Sequence, residues 1–305
     1  MRNELDPNVA KDRRGGGVWA RIPVTPRAIV VGIVVGMTAA NVWPLLLVKM
    51  GMPLAVCVEA IFLVAYMWWA GGGGPPRSLK AVRADSFRVR TLSAREWKWG
   101  LAAAVLFALT VHAAIVVLFR LVPFPAQAFH AGYDFSSVPG VPLRWLAVVV
   151  SAASAGVCEE TGFRGYMQRP IETRHGAVIA IMISALFFML IHLTKAWSVV
   201  GMVPIVFGAG VMLGTLAWAS KSLYFCMIGH TIMDVGLFGF YWGQISGTFT
   251  QRPISETGMD QTFFLECGVL AAALLSTVVA IVGLRRLSRD SQTRVRNGST
   301  IRAQP

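Results

Sequence analysis

Six side chains in the second half of this 305-residue chain have the types and spacing for acid–base chemistry. Glu159, Glu160 and Arg164 interrupt one apolar run, His192 closes the next, and His230 and Asp234 stand four apart in a third. A charged side chain at mid-bilayer costs about 2.5–3.5 kcal/mol on insertion scales, so it persists where it has a partner or a task. Spacing of four puts Glu160 and Arg164 on one helical face, where pairing neutralises both. Glu159 is turned about 100° away and lacks that partner. A carboxylate left in a poorly solvated site is suited to work as a general base. The plainer alternative is that both glutamates only hold helices together.

Depth supports a shared site. With a helical hairpin turning near His175, Glu159 and His192 rise about 24 and 26 Å from the turn and come level. Carboxylate and imidazole then face each other across an antiparallel pair, an arrangement that activates water. On the third run, Asp234 either orients the His230 imidazole or shares an ion with it. His230 lies about 13 Å above Lys221, which agrees only loosely with the hairpin depth.

The elements that must position these groups are membrane helices. Hydrophobic residues make up 55% of the chain and charged residues 14%, with mean hydropathy +0.60, too little charge to cover a soluble globule of this length. The net charge of +13 does not form a nucleic-acid stripe. Its basic residues sit in tails and connections, as lipid-facing anchors do. The sequence predicts an all-α, polytopic bundle of about eight spans: 28–48, 54–70, 100–122, 143–168, 176–193, 199–219, 223–242 and 262–284, each near the length a bilayer core requires. Pro170 is expected to stop the fourth helix. Residues 1–26 read as a cytosolic arm without a cleaved signal peptide, 27–284 as the membrane domain, and 285–305 as a disordered cytosolic tail. The basic segment 71–99 reads as an interfacial linker with a short amphipathic helix pinned by Trp97 and Trp99, and 123–142 as an irregular loop.

Of the 28 Lys and Arg, 23 fall on one set of alternate connections and 5 on the other. The positive-inside rule then puts both termini in the cytoplasm of a bacterial-type cell membrane. Cys57, Cys158, Cys226 and Cys267 lie in separate apolar runs and read as small hydrophobes, neither disulfides nor zinc ligands. Glu59 is expected to make a helix–helix hydrogen bond, and His112 to be a packing residue.

Glu159-Glu160-Thr-Gly-Phe-Arg164, then Phe188-x-x-x-His192, then His230-x-x-x-Asp234, resembles the three-motif pattern of the CPBP family, the CAAX-protease and bacteriocin-processing group of intramembrane proteases, over roughly residues 143 to 243. The resemblance implies a helical fold, a site open toward the cytoplasmic leaflet, and endopeptidase activity on a membrane-associated or prenylated peptide or protein. It makes Glu159 and His192 the water-activating pair, His230 and Asp234 the oxyanion stabilisers, and Arg164 the partner of Glu160. One departure stands out. The last position is commonly Asn in the eukaryotic prenyl-protein proteases and is Asp234 here. An ionised aspartate cannot donate to an oxyanion, so it is protonated, orients His230, or binds metal. Glu159, His192, His230 and Asp234 are a conceivable zinc set, but there is no His-Glu-x-x-His helix, and a metal-free glutamate mechanism without a cofactor is the reading adopted. A Cys158 nucleophile is disfavoured, because adjacent helical residues point in different directions. The competing class is a catalytically silent immunity or scaffold protein that grips peptides. Retention of both Glu159 and His192 favours the enzyme.

Overall fold

A computed structural model describes residues 18–88, 90–132, 134–193 and 201–301. Its elements are α1 Val24–Ala40, α2 Val42–Lys49, α3 Met52–Ala70, α4 Lys80–Phe87, α5 Ala94–Leu121, α6 Val141–His175, α7 Ala177–His192, α8 Met202–Ser220, α9 Tyr224–Tyr241 and α10 Gln261–Ile301. Short helical turns lie at Val18–Arg21, Ala126–Gly132 and Ile254–Thr257, and no strand occurs among the described residues. Six segments are long and apolar enough to cross a bilayer: α1 with α2, α3, α5, α6, α8 and α10. The expected eight runs all appear as helices. However, α7 is a shorter apolar helix and α9, which carries His230 and Asp234, falls outside the six. The bundle is that of an integral membrane protein.

Several boundaries moved for identifiable reasons. The first span breaks at Asn41, three residues before Pro44, whose ring and missing N–H disfavour an uninterrupted ladder. Helix α5 starts six residues before the expected Gly100 because Ser93 and Glu96 form a capping box, with Ser93 N donating to Glu96 Oε2 at 2.9 Å and Glu96 N to Ser93 Oγ at 3.3 Å. Trp97 and Trp99 therefore belong to α5, and the short helix of the linker is α4 alone. Pro170 does not stop α6. A π-helical stretch, Thr161–Met167, precedes it, and the chain continues through Gln168–His175. The polar segment after Leu284, expected to be a disordered tail, continues α10 as far as Ile301. Its first turns are held in place: Arg285 lies 4.1 Å from the Trp218 ring centroid, and the buried Ser288 hydroxyl meets Glu96 and Ser220. Residues 1–17 and 302–305 of the two expected tails lie outside the described residues.

Packing places the catalytic candidates on neighbouring helices. Helix α9 lies against both α5 and α6, α7 packs on α8, α10 runs along α5, and α1 crosses the π-helical stretch of α6. Lipid tails are as apolar as Leu, so close approach and internal hydrogen bonds must hold such helices together. Thr110 and Thr277 share a hydroxyl bond of 2.9 Å between α5 and α10, and Ser184 Oγ donates to Phe163 O at 2.9 Å between α7 and α6. Where α1 meets α6, Gly32 and Gly36 receive Gly162 almost backbone to backbone. A Cβ at Gly162 would stand 2.5 Å from Gly32 O and 2.6 Å from Gly36 Cα. Gly162→Ala should therefore destabilise the protein by about 1–3 kcal/mol through overpacking. Thermal unfolding in detergent checks this, and a melting temperature equal to wild type would mean that α1 slides freely over α6.

The four cysteines are free, with Cys158 and Cys226 buried, Cys267 half-buried and Cys57 exposed on α3. His112 does pack, stacking on Tyr241 with ring centroids 6.0 Å apart. Glu59 is fully buried with Ser154 of α6 as its polar neighbour across the helices, at a geometry looser than the other hydrogen bonds described.

Candidate active site

Glu159 stands one residue before the C-terminal end of the α-helical part of α6, with Ala155 and Ser151 one and two turns below it on the same face. These three side chains form one wall of a cavity of about 90 Å³, also lined by His192 of α7 and by His230 and Asp234 of α9. Apolar groups from α5 and α8 complete it, among them Val111, Ile115, Ile205 and Ala209. The volume is several times the ~10–15 Å³ that one water needs on this measure, and the polar lining supplies partners for it. All four residues proposed for chemistry thus border a single space.

Glu160 points the other way, into protein. Its Oε1 accepts from Arg164 Nη1 at 2.8 Å, and both side chains are 0% exposed. The same oxygen is 2.8 Å from His230 Nδ1, a contact that spacing alone did not reveal. Arg164 also donates from Nη2 to Gly210 O at 3.3 Å, and its guanidinium carbon lies 4.3 Å from the Phe188 ring centroid. The expected Glu160–Arg164 pair is present, and it is the base of a longer chain: Arg164, Glu160, His230. Asp234 continues the chain more weakly, with Oδ2 3.5 Å from His230 Nε2. Glu160, not Asp234, is therefore the main group that orients the His230 ring.

Phe188 links the two imidazoles. Its ring centroid is 4.5 Å from that of His192 and 5.8 Å from that of His230, the latter edge-on. Its carbonyl oxygen lies 2.7 Å from His192 Nδ1. A carbonyl only accepts, so Nδ1 carries the proton, and in the neutral ring the lone pair belongs to Nε2. Oε2 of both Glu159 and Glu160 is buried without a hydrogen bond, and what sets Glu160 apart is its Oε1, engaged by both Arg164 and His230. The two adjacent glutamates thus have different surroundings, one tied to cations and one facing the cavity.

Among the described residues no three His, Cys, Asp or Glu side chains stand close enough to share a metal ion. Glu159, His192, His230 and Asp234 line one cavity but do not meet there as a group of three ligands.

These features define a polytopic membrane protein whose helices enclose a carboxylate–imidazole cavity. Residues 141–236 match the family described as type II CAAX prenyl endopeptidase, Rce1-like. The match spans about a third of the chain and contains all three motifs, so the resemblance to the CAAX-protease group holds over that segment. No curated protein and no solved structure matches the chain.

Proposed function

We propose that this protein is an intramembrane endopeptidase that hydrolyses a peptide bond of a membrane-associated or lipidated substrate by water activated between Glu159 and His192. The observation that carries the proposal is the convergence of Glu159, His192, His230 and Asp234 on one cavity large enough for several waters within a segment matching CAAX endopeptidases. Glu159 takes a proton from water as the oxygen attacks the scissile carbonyl carbon. The carbonyl electrons move to its oxygen, and His230 Nε2–H stabilises the charge. An imidazolium suits that position, because it donates from Nδ1 to Glu160 and still has a proton on Nε2. Collapse breaks the C–N bond, and the proton held by Glu159 passes to the leaving amine, with His192 Nε2 as the second acceptor in the cavity. The products are a new carboxylate and a new amine.

In this reading Asp234 electrostatically favours protonated His230 and needs no proton of its own. Asp234→Asn should keep at least about a tenth of wild-type activity, since the amide preserves shape and Glu160 still orients the ring. Assay of both forms after exhaustive chelation checks this. Loss of activity on chelation, with zinc restoring wild type but not Asp234→Asn, would overturn the metal-free route in favour of a zinc site.

The proposed orientation, with both termini and the basic linker cytoplasmic, rests on the 23-to-5 distribution of Lys and Arg. Single cysteines placed at Arg77 and Pro139 in a cysteine-free background should label from opposite sides of the membrane. Labelling of position 139 from the cytoplasm would reverse the topology.

A further inference from the structure

A second polar cluster lies away from the cavity, where α8 ends and α6 and α10 pass. Lys221 turns the chain there in a left-handed conformation, φ +55°, and its ammonium is 2.8 Å from Glu172 Oε1. Arg88 Nη2 holds the other oxygen of Glu172 at 2.8 Å. Arg169 stands 3.9 Å from the same carboxylate while pairing with Asp85 at 2.8 Å. Arg285 lies across the Trp218 ring at 4.1 Å and donates to Trp218 O at 3.3 Å.

Four cations meet two carboxylates here, leaving an excess of two positive charges. The donors are also under-used. The Arg88 side chain is 3% exposed, yet its Nε and Nη1 have no hydrogen-bond partner, and Arg285 Nε is likewise buried without one. Burial holds the Lys221 ammonium below its ordinary pKa, with Glu172 opposing and the like charges of Arg285 and Arg88 adding to the shift. Buried donors of charged groups are costly to leave unmade, so the cluster lacks an anionic acceptor.

We propose that Arg88, Lys221 and Arg285 bind the phosphate of an anionic phospholipid at this face of the membrane. Position selects a lipid as the source. The cluster sits at the end of the apolar span Met202–Ser220, with Trp218 in its last turn, the level at which headgroups and interfacial tryptophans are found. Basic pockets between membrane helices at this level hold anionic headgroups, and a tethered phosphate arrives there at high local concentration.

The test uses the full chain in nanodiscs of phosphatidylcholine alone or with phosphatidylglycerol. Wild type should melt roughly 4–8 °C higher with phosphatidylglycerol. The variant Lys221→Asn with Arg285→Gln should lose most of that gain; Asn tolerates the left-handed turn at 221. Arg252→Gln, at an exposed pair with Glu256, should keep it. Equal gains in the double variant and wild type would overturn the proposal, as would the same gain from inorganic phosphate in phosphatidylcholine discs, which would make the ligand a free anion. Should the double variant not fold, native mass spectrometry of wild type decides: one preferentially retained phosphatidylglycerol is expected, and equal retention of both lipids refutes the site.

Discussion

Glu159→Gln should lower turnover by about 10²–10⁴-fold, the range that general-base catalysis contributes, while leaving the folded bundle intact. The change keeps the volume of the side chain and removes its basicity. It should not unfold the protein, because Glu159 faces the cavity and its buried Oε2 has no hydrogen bond to lose. The measurement is turnover of a membrane substrate beside thermal unfolding of the same preparation. A large fall in melting temperature would make Glu159 a structural residue, and full activity would remove it from the mechanism.

Glu160→Gln should behave differently, although the residue is adjacent. Its carboxylate neutralises Arg164 and accepts from His230 through one oxygen, all inside protein with side-chain exposures of 0 to 3%. An amide cannot match the charge, so Arg164 is stranded in a dry site. Removing one member of a buried pair costs about 3–5 kcal/mol. Stability and activity should fall together, the latter because the His230 ring loses its main support. Glu160→Leu with Arg164→Met should recover much of the stability, since two matched apolar side chains leave no unpaired charge. It should recover none of the activity. Equal melting of Glu159→Gln and Glu160→Gln would refute the division of labour between the two glutamates.

The order of the apolar helices was legible because membrane spans need long apolar runs, and such runs are separated here by basic or proline-rich connections. The polar residues that line the cavity were legible because charge in an apolar run is costly. The pairing of Glu160 with Arg164 followed from helical period. What stayed hidden depended on contacts between helices. Spacing cannot report that Glu160 reaches His230 across 70 residues, and so Asp234 seemed the natural partner of that ring. Nor does it report that Gly162 nests against Gly32 and Gly36. Pro170 was misleading because its rule presumes a regular ladder, and a π-helical stretch precedes it. The helical start of the basic C-terminal segment was missed because its support, Trp218 and Glu96, comes from elsewhere in the chain.

The most direct test of the endopeptidase account is to incubate membranes containing wild type or Glu159→Gln in ¹⁸O-labelled water and to sequence the released and retained peptides by mass spectrometry. Wild type should generate new C-termini carrying one ¹⁸O in a membrane-associated or lipidated protein, and Glu159→Gln should generate none of them. Identical peptide sets from the two membranes, with the wild-type protein folded and its cavity residues intact, would contradict hydrolysis at this site and leave a protein that binds without cutting.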